Sequence, residues 1–172
     1  MNTFVRIAVM VILVAIPACL PAADKVVVIP LATSQHGNGE LFLSAPSFRA
    51  VTPMLGSSWE EDGMILNPSG AGSWIAPLDL PVGITITSLE LYWKNNSQTA
   101  GVTTVTLYLF NLENGNGLDF INMTSNSTEL GVQHVRTNTF SFQTTENYQV
   151  AVRVYLGHTD KWLMGVKVRY SY

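Results

Sequence analysis

The chain has 172 residues, a formal net charge of −3 and 12% charged residues, against about 25% in an ordinary soluble protein. Its length fits one domain better than two. The nine Lys and Arg against twelve Asp and Glu leave no cationic footprint for a nucleic-acid binder, and the single Cys excludes an internal disulfide. Ser, Thr and Asn make up 41 residues. They suit strands and turns better than the solvent faces of helices, where Lys and Glu are usual.

Arg6 is the only charge in residues 1–23. An apolar run from Ile7 to Ile16 follows it, and then Pro17-Ala18-Cys19-Leu20-Pro21-Ala22-Ala23. A positive start, a short apolar core and a small-residue exit predict a secretory signal peptide over 1–23, cut after Ala22 or Ala23. The core is too short for the roughly 30 Å bilayer interior. A secreted or periplasmic protein with no membrane span in the mature chain is therefore expected. Cys19 has two readings. It is lost with the signal, or it is the lipid-modified residue of the box Ile16-Pro17-Ala18-Cys19 and anchors the chain. Pro17 fits that box badly.

Residues 24–40 read as an N-terminal extended segment and linker. Val26 to Leu31 is β-branched and apolar, and Ala32 to Glu40 is polar with Gly37 and Gly39. Residues 41–172 read as the folded domain. Short strands are expected at 47–52, 64–67 and 73–78. Long strands with a period of two follow at 86–94, 102–112, 148–156 and 162–170. In the last of these, Trp162, Met164, Val166, Val168 and Tyr170 fall on one face. Weaker strands are expected at 120–124, 132–137 and 140–143. Glu113-Asn114-Gly115-Asn116-Gly117 has the residues of a tight hairpin loop. No segment keeps a helical period. The prediction is an all-β, antiparallel two-sheet β-sandwich, jelly-roll-like.

The stretch Ala76-Pro77-Leu78-Asp79-Leu80-Pro81-Val82-Gly83-Ile84-Thr85-Ile86-Thr87-Ser88-Leu89-Glu90-Leu91-Tyr92-Trp93 resembles an uncharacterised family of bacterial secreted single-domain β-sandwich proteins. So do Val105-Thr106-Leu107-Tyr108-Leu109 and the closing Leu163-Met164-Gly165-Val166-Lys167-Val168-Arg169-Tyr170. The likeness runs from about Ser44 to Tyr170. Asn95-Asn96 stands where that family has an acidic residue before Asn, so a ligand role for that acid does not carry over. The resemblance implies a compartment and a fold, and no chemistry.

Motifs for catalysis are missing. His36, His134 and His158 show no paired ligand spacing, so no metal is expected. There is no Gly-x-Ser-x-Gly, no P-loop and no dinucleotide fingerprint, so no catalytic residue and no cofactor is assigned. Two groups remain as candidate ligand-binding residues. Trp59, Glu60, Glu61 and Asp62 join a stacking ring to hard oxygen donors, or form a solvated loop. Tyr92, Tyr108 and Tyr155 lie on the polar faces of their strands. They form an exposed platform if those strands are neighbours, or a second buried layer if not. Trp93, Tyr148, Trp162 and Tyr170 are in phase with aliphatic neighbours and read as core. The leading expectation is an exported, non-catalytic binding or surface-assembly module, with a glycan or cell-surface polymer, or a second copy of the chain, as partner. The alternative is a secreted hydrolase using dispersed carboxylates.

Overall fold

The structure is a computed structural model that describes residues 37–51, 58–59, 65–66, 70–99 and 101–172, all within the compact unit Ser34–Tyr172. The expected signal peptide with Cys19, the linker up to His36, and Glu60, Glu61 and Asp62 lie outside the described residues.

The strands are β1 (Asn38–Ser44), β2 (Arg49–Ala50), β3 (Ser58–Trp59), β4 (Ile65–Leu66), β5 (Gly72–Pro77), β6 (Thr85–Asn95), β7 (Thr103–Asn111), β8 (Gly117–Ser125), β9 (Gly131–Arg136), β10 (Phe142–Gln143), β11 (Tyr148–Leu156) and β12 (Lys161–Ser171). A single 3-10 turn, Ala45–Ser47, is the only helical element among the described residues. All pairings are antiparallel and form two sheets. The first is built on β6 and β12. The outer edge of β6 carries β9 and β10 in line, and the outer edge of β12 carries β1 and β4, with β3 beyond β4. The second sheet has the order β2-β5-β11-β7-β8. This is the expected two-sheet, jelly-roll-like sandwich.

The alternation read from the sequence explains the core. Leu89, Leu91, Trp93, Leu163, Val166 and Val168 of the first sheet face Trp74, Val105, Leu107, Val152, Val154 and Leu156 of the second, all 1% exposed or less. Side chains of one strand alternate between faces, so this layer leaves the opposite face of each sheet toward solvent. At one open side of the sandwich Phe120 of β8 meets Phe140 and Phe142, with ring centroids 6.1 and 5.0 Å apart. That aromatic trio spans the gap between β8 and β10.

Two threonines continue the ladder of β6 where no regular strand pairs with it. The Leu89 N–H donates to Thr137 Oγ1 at 3.0 Å, and the Ile84 N–H donates to Thr144 Oγ1 at 3.0 Å. Both threonines are buried, so each hydroxyl satisfies a backbone donor that would otherwise be stranded.

The expected phase of the last strand breaks midway. The register of β12 on β6 shifts between Leu163 and Gly165, a β-bulge that makes Met164 the extra residue. Val166 and Val168 face the core, but Trp162 and Met164 turn to the outer face, flanking the buried Leu163. The core assignment of Trp162 is therefore corrected. Trp93 is fully buried, and Tyr148 packs partly buried against the core, as expected. β1 takes in Asn38, Gly39 and Glu40, which fall in the predicted linker.

Candidate functional site

The outer face of the first sheet is crossed by a row of aromatic side chains. Tyr92 sits at its centre on β6. Its register partners are His134 on β9 and Gly165 on β12. The Tyr92 ring lies 5.9 Å from the His134 ring and 6.2 Å, edge-on, from the Phe42 ring of β1. Phe42 reaches Tyr92 because the residue between them is glycine. A Cβ on Gly165 would lie 2.6 Å from Phe42 Cζ and 2.6 Å from the Leu43 carbonyl oxygen. Trp162 continues the row along β12. Phe42 is 51% exposed and His134 is exposed, while Tyr92 and Trp162 are half-buried. Such rings offer apolar faces at small loss of conformational freedom.

Cations accompany the rings. Lys94 Nζ lies 5.5 Å from the centre of the Trp162 ring, and Lys167 Nζ lies 6.0 Å from that of Tyr92, both within cation–π range. Beyond Lys167 the face becomes a charged cluster. Arg169 Nε donates to Glu40 Oε1 at 2.7 Å, and its Nη2 lies 3.0 Å from Glu90 Oε2. Lys167 Nζ is 3.5 Å from the other oxygen of Glu40. The hydrogen bond from Arg169 is the main reason the Glu40 carboxyl sits below the usual carboxylate range, and the nearby Lys167 charge adds to it. Glu40 is thus held ionised, which suits a hydrogen-bond acceptor and not a proton donor. Arg169 is the counterpart, raised chiefly by its bond to Glu40.

At this end of the row lies a cleft of about 260 Å³, lined by Asn38, Gly39, Glu40, Thr87, Arg169 and Tyr170. Gly39 is needed for its shape. A Cβ there would lie 2.4 Å from the Tyr170 ring, which rests across the glycine. The cleft therefore joins a ring to a carboxylate, a guanidinium and an amide within one small concavity.

The three candidate tyrosines are not on one face. Tyr92 is in the first sheet, whereas Tyr108 and Tyr155 are on β7 and β11, neighbours in the second. A single platform of all three is not formed. Tyr155 pairs with Thr104 and Tyr108 with Ala151, so the two are four residues apart along the strands, about 13 Å. The Tyr108 ring is already engaged. Arg153 lies 5.1 Å over it and is ion-paired with Asp119, and the tyrosine hydroxyl covers Gly117. The backbone of Trp59 forms β3; its acidic neighbours 60–62 are outside the described residues.

Sequence reasoning missed Phe42, His134, Lys167, Arg169 and Glu40. Phe42 and His134 are single aromatics on strands too short to show a phase, and strand order alone brings them to Tyr92. Among the described residues no group of three or more His, Cys, Asp or Glu side chains is placed to hold a metal, and no helix is long and apolar enough to cross a membrane.

No protein-family model matches the chain, and no curated protein matches it. Solved structures do. The CBM22-1–GH10 modules of endo-1,4-β-D-xylanase 10B from Clostridium thermocellum, in complex with xylohexaose, align at a TM-score of 0.53 and 10% identity, over 76% of this chain and 27% of that one. The CBM36-1 domain of a multidomain xylanase from the hindgut metagenome of Trinervitermes trinervoides aligns at 0.48 and 10% identity, over 76% of this chain and 96% of that one. The GH26–CBM35 β-(1,4)-mannanase of Podospora anserina aligns at 0.44 and 9% identity, over 76% and 27%. The first of these likenesses shows the fold: an antiparallel β-sandwich of the kind found in that xylanase structure. This chain spans about a quarter of that protein's length.

Proposed function

We propose that this protein is an exported, non-catalytic β-sandwich that binds a glycan on the outer face of its first sheet. The observation that carries the reading is the row Phe42–Tyr92–His134 ending beside the cleft of Arg169, Glu40 and Tyr170. Sugar rings present apolar C–H faces ringed by hydroxyls, so a binder needs flat apolar partners next to fixed polar ones. This face supplies both. The sandwich it shares with a xylanase structure that holds xylohexaose is consistent with that use, and the apolar start of the chain supports export. Membership of a bacterial secreted family belongs to the same proposal.

A glycan array followed by affinity electrophoresis tests it. Tyr92→Ala is expected to weaken binding about five- to thirtyfold, since losing one stacked ring costs on the order of 1–2 kcal/mol. Tyr155→Ala, on the other sheet, should leave binding unchanged. A protein that retains no glycan on the array, or a Tyr155 variant as impaired as the Tyr92 one, would sink the reading.

A further inference from the structure

The same face carries a charge pattern opposite to that of the rest of the molecule. Lys94, Arg136, Lys167 and Arg169 project from it, against Glu40 and Glu90, a local charge of +2. The remaining described residues hold three cations and six acids, a charge of −3. Half of the eight cations that follow Arg6 thus lie on one sheet face of an acidic protein. They are not all spent on internal pairs. Arg169 and Lys167 share Glu40 and Glu90. Among the described residues, neither Lys94 nor Arg136 has a carboxylate within ion-pair distance, although Arg136 is the register partner of Glu90. Lys94 instead lies over Trp162.

The spacing of these groups follows from the sheet. Adjacent strands are about 4.8 Å apart, and same-face residues on one strand recur about every 6.6–6.8 Å. Arg136, Glu90 and Lys167 stand in one row across β9, β6 and β12, and Lys94 lies four residues from Glu90 along β6. The cations therefore border the aromatic row on the β9 side and along β12, with rings between them. A ligand that fits has apolar ring faces to stack and anionic groups repeated along its length.

Resting on the glycan reading above, we infer that the ligand is an acidic polysaccharide, a chain of sugars bearing carboxylates or sulfates. Lys94 and Arg136 take its charges on either side of the ring stacked on Tyr92. An acidic polymer meets a local positive field here, while the net negative charge elsewhere keeps it from adhering at random.

The test uses affinity electrophoresis of the exported protein against polygalacturonate, with xylan and mannan as neutral glycans and single-stranded RNA as a non-sugar polyanion. Polygalacturonate should retard the protein most, and the retardation should fall steadily as sodium chloride rises through the range where the screening length shrinks from about 10 to 3 Å. The double variant Lys94→Gln/Arg136→Gln should bind polygalacturonate about fivefold more weakly, with an unchanged thermal midpoint. Xylan or mannan bound as tightly as polygalacturonate, with no salt dependence, overturns the acidic selectivity and leaves the glycan reading standing. RNA bound more tightly than polygalacturonate overturns the choice of ligand class. Failure to bind any glycan overturns both proposals.

Discussion

Lys161 is buried to 2% exposure at the start of β12. Its ammonium donates to Asn95 Oδ1 and to the Ser127 carbonyl, both at 3.1 Å. The Trp93 indole N–H donates to the same Asn95 oxygen at 3.0 Å, and the Asn95 amide donates to the carbonyls of Ser127 and Glu129. Asn95 thus ties three elements together, and although it opens a glycosylation pattern, its amide is already occupied. No carboxylate lies within ion-pair distance of Lys161 among the described residues. Burial alone lowers its pKa from an ordinary value of about 10.4. The folded state therefore binds fewer protons than the unfolded chain in the alkaline range below that value. The contribution of this site to stability rises as pH climbs toward about 10.4 and is lost as pH falls through the folded pKa. Urea midpoints measured from neutral pH upward should show this slope, and Lys161→Met should flatten it. An identical slope in the variant would mean that other groups carry the dependence.

At the scale of elements, the four long strands with a period of two were legible as strands because each buries one face in a continuous core. Burial acts on alternation directly. The bulge at Met164 was not legible. Trp162, Met164, Val166, Val168 and Tyr170 form an unbroken apolar phase in the sequence, and the bulge only moves the point at which that phase meets the core. Its signal is Gly165, which the pattern treats as one more polar-face residue. Gly165→Ala places a Cβ against a backbone oxygen as well as a ring. The strand must shift, at an expected cost of about 1–3 kcal/mol. Guanidinium unfolding checks this, and a midpoint equal to that of the parent would show that β1 yields without cost. The site was less legible than the strands. Tyr92 was singled out by its phase, but its partners arrive from β1, β9 and β12, and no local pattern states which strands are neighbours. Strand order also decides whether Tyr92 shares a platform with Tyr108 and Tyr155, and it places those two in the other sheet.

On the scale of the whole molecule, the low charge has an uneven distribution. A total of −3 conceals a positive face and a negative remainder, so a composition that argues against polyanion binding on average does not describe each surface. The core needs no covalent help, since the only Cys lies at position 19. About 136 residues from Gly37 to Tyr172 are enough for two packed sheets to bury a continuous apolar layer. The pairing of β1 with β12 joins the first described strand to the last, from Asn38 against Ser171 to Ser44 against Gly165. Gly37 and Tyr172 close it with two backbone hydrogen bonds, at 3.2 and 3.1 Å.

That closure sets the first and last described residues, Gly37 and Tyr172, side by side. In the segment 37–172 these two residues are partners in a ladder, so a short Gly/Ser bridge can join Tyr172 to Gly37 without stretching any strand. New ends can then be cut in the exposed hairpin between β7 and β8, whose Glu113, Asn114 and Asn116 lie on the surface. Such a circular permutant should fold with an unfolding midpoint close to the parent's and keep Tyr92, Phe42 and Arg169 in register. Loss of folding would show that the order in which the chain is threaded, and not only its final pairing, is required. For the same geometric reason the unit is portable. Spliced into a surface loop of another protein, the segment 37–172 would enter and leave at adjacent positions, like a tool on a single handle.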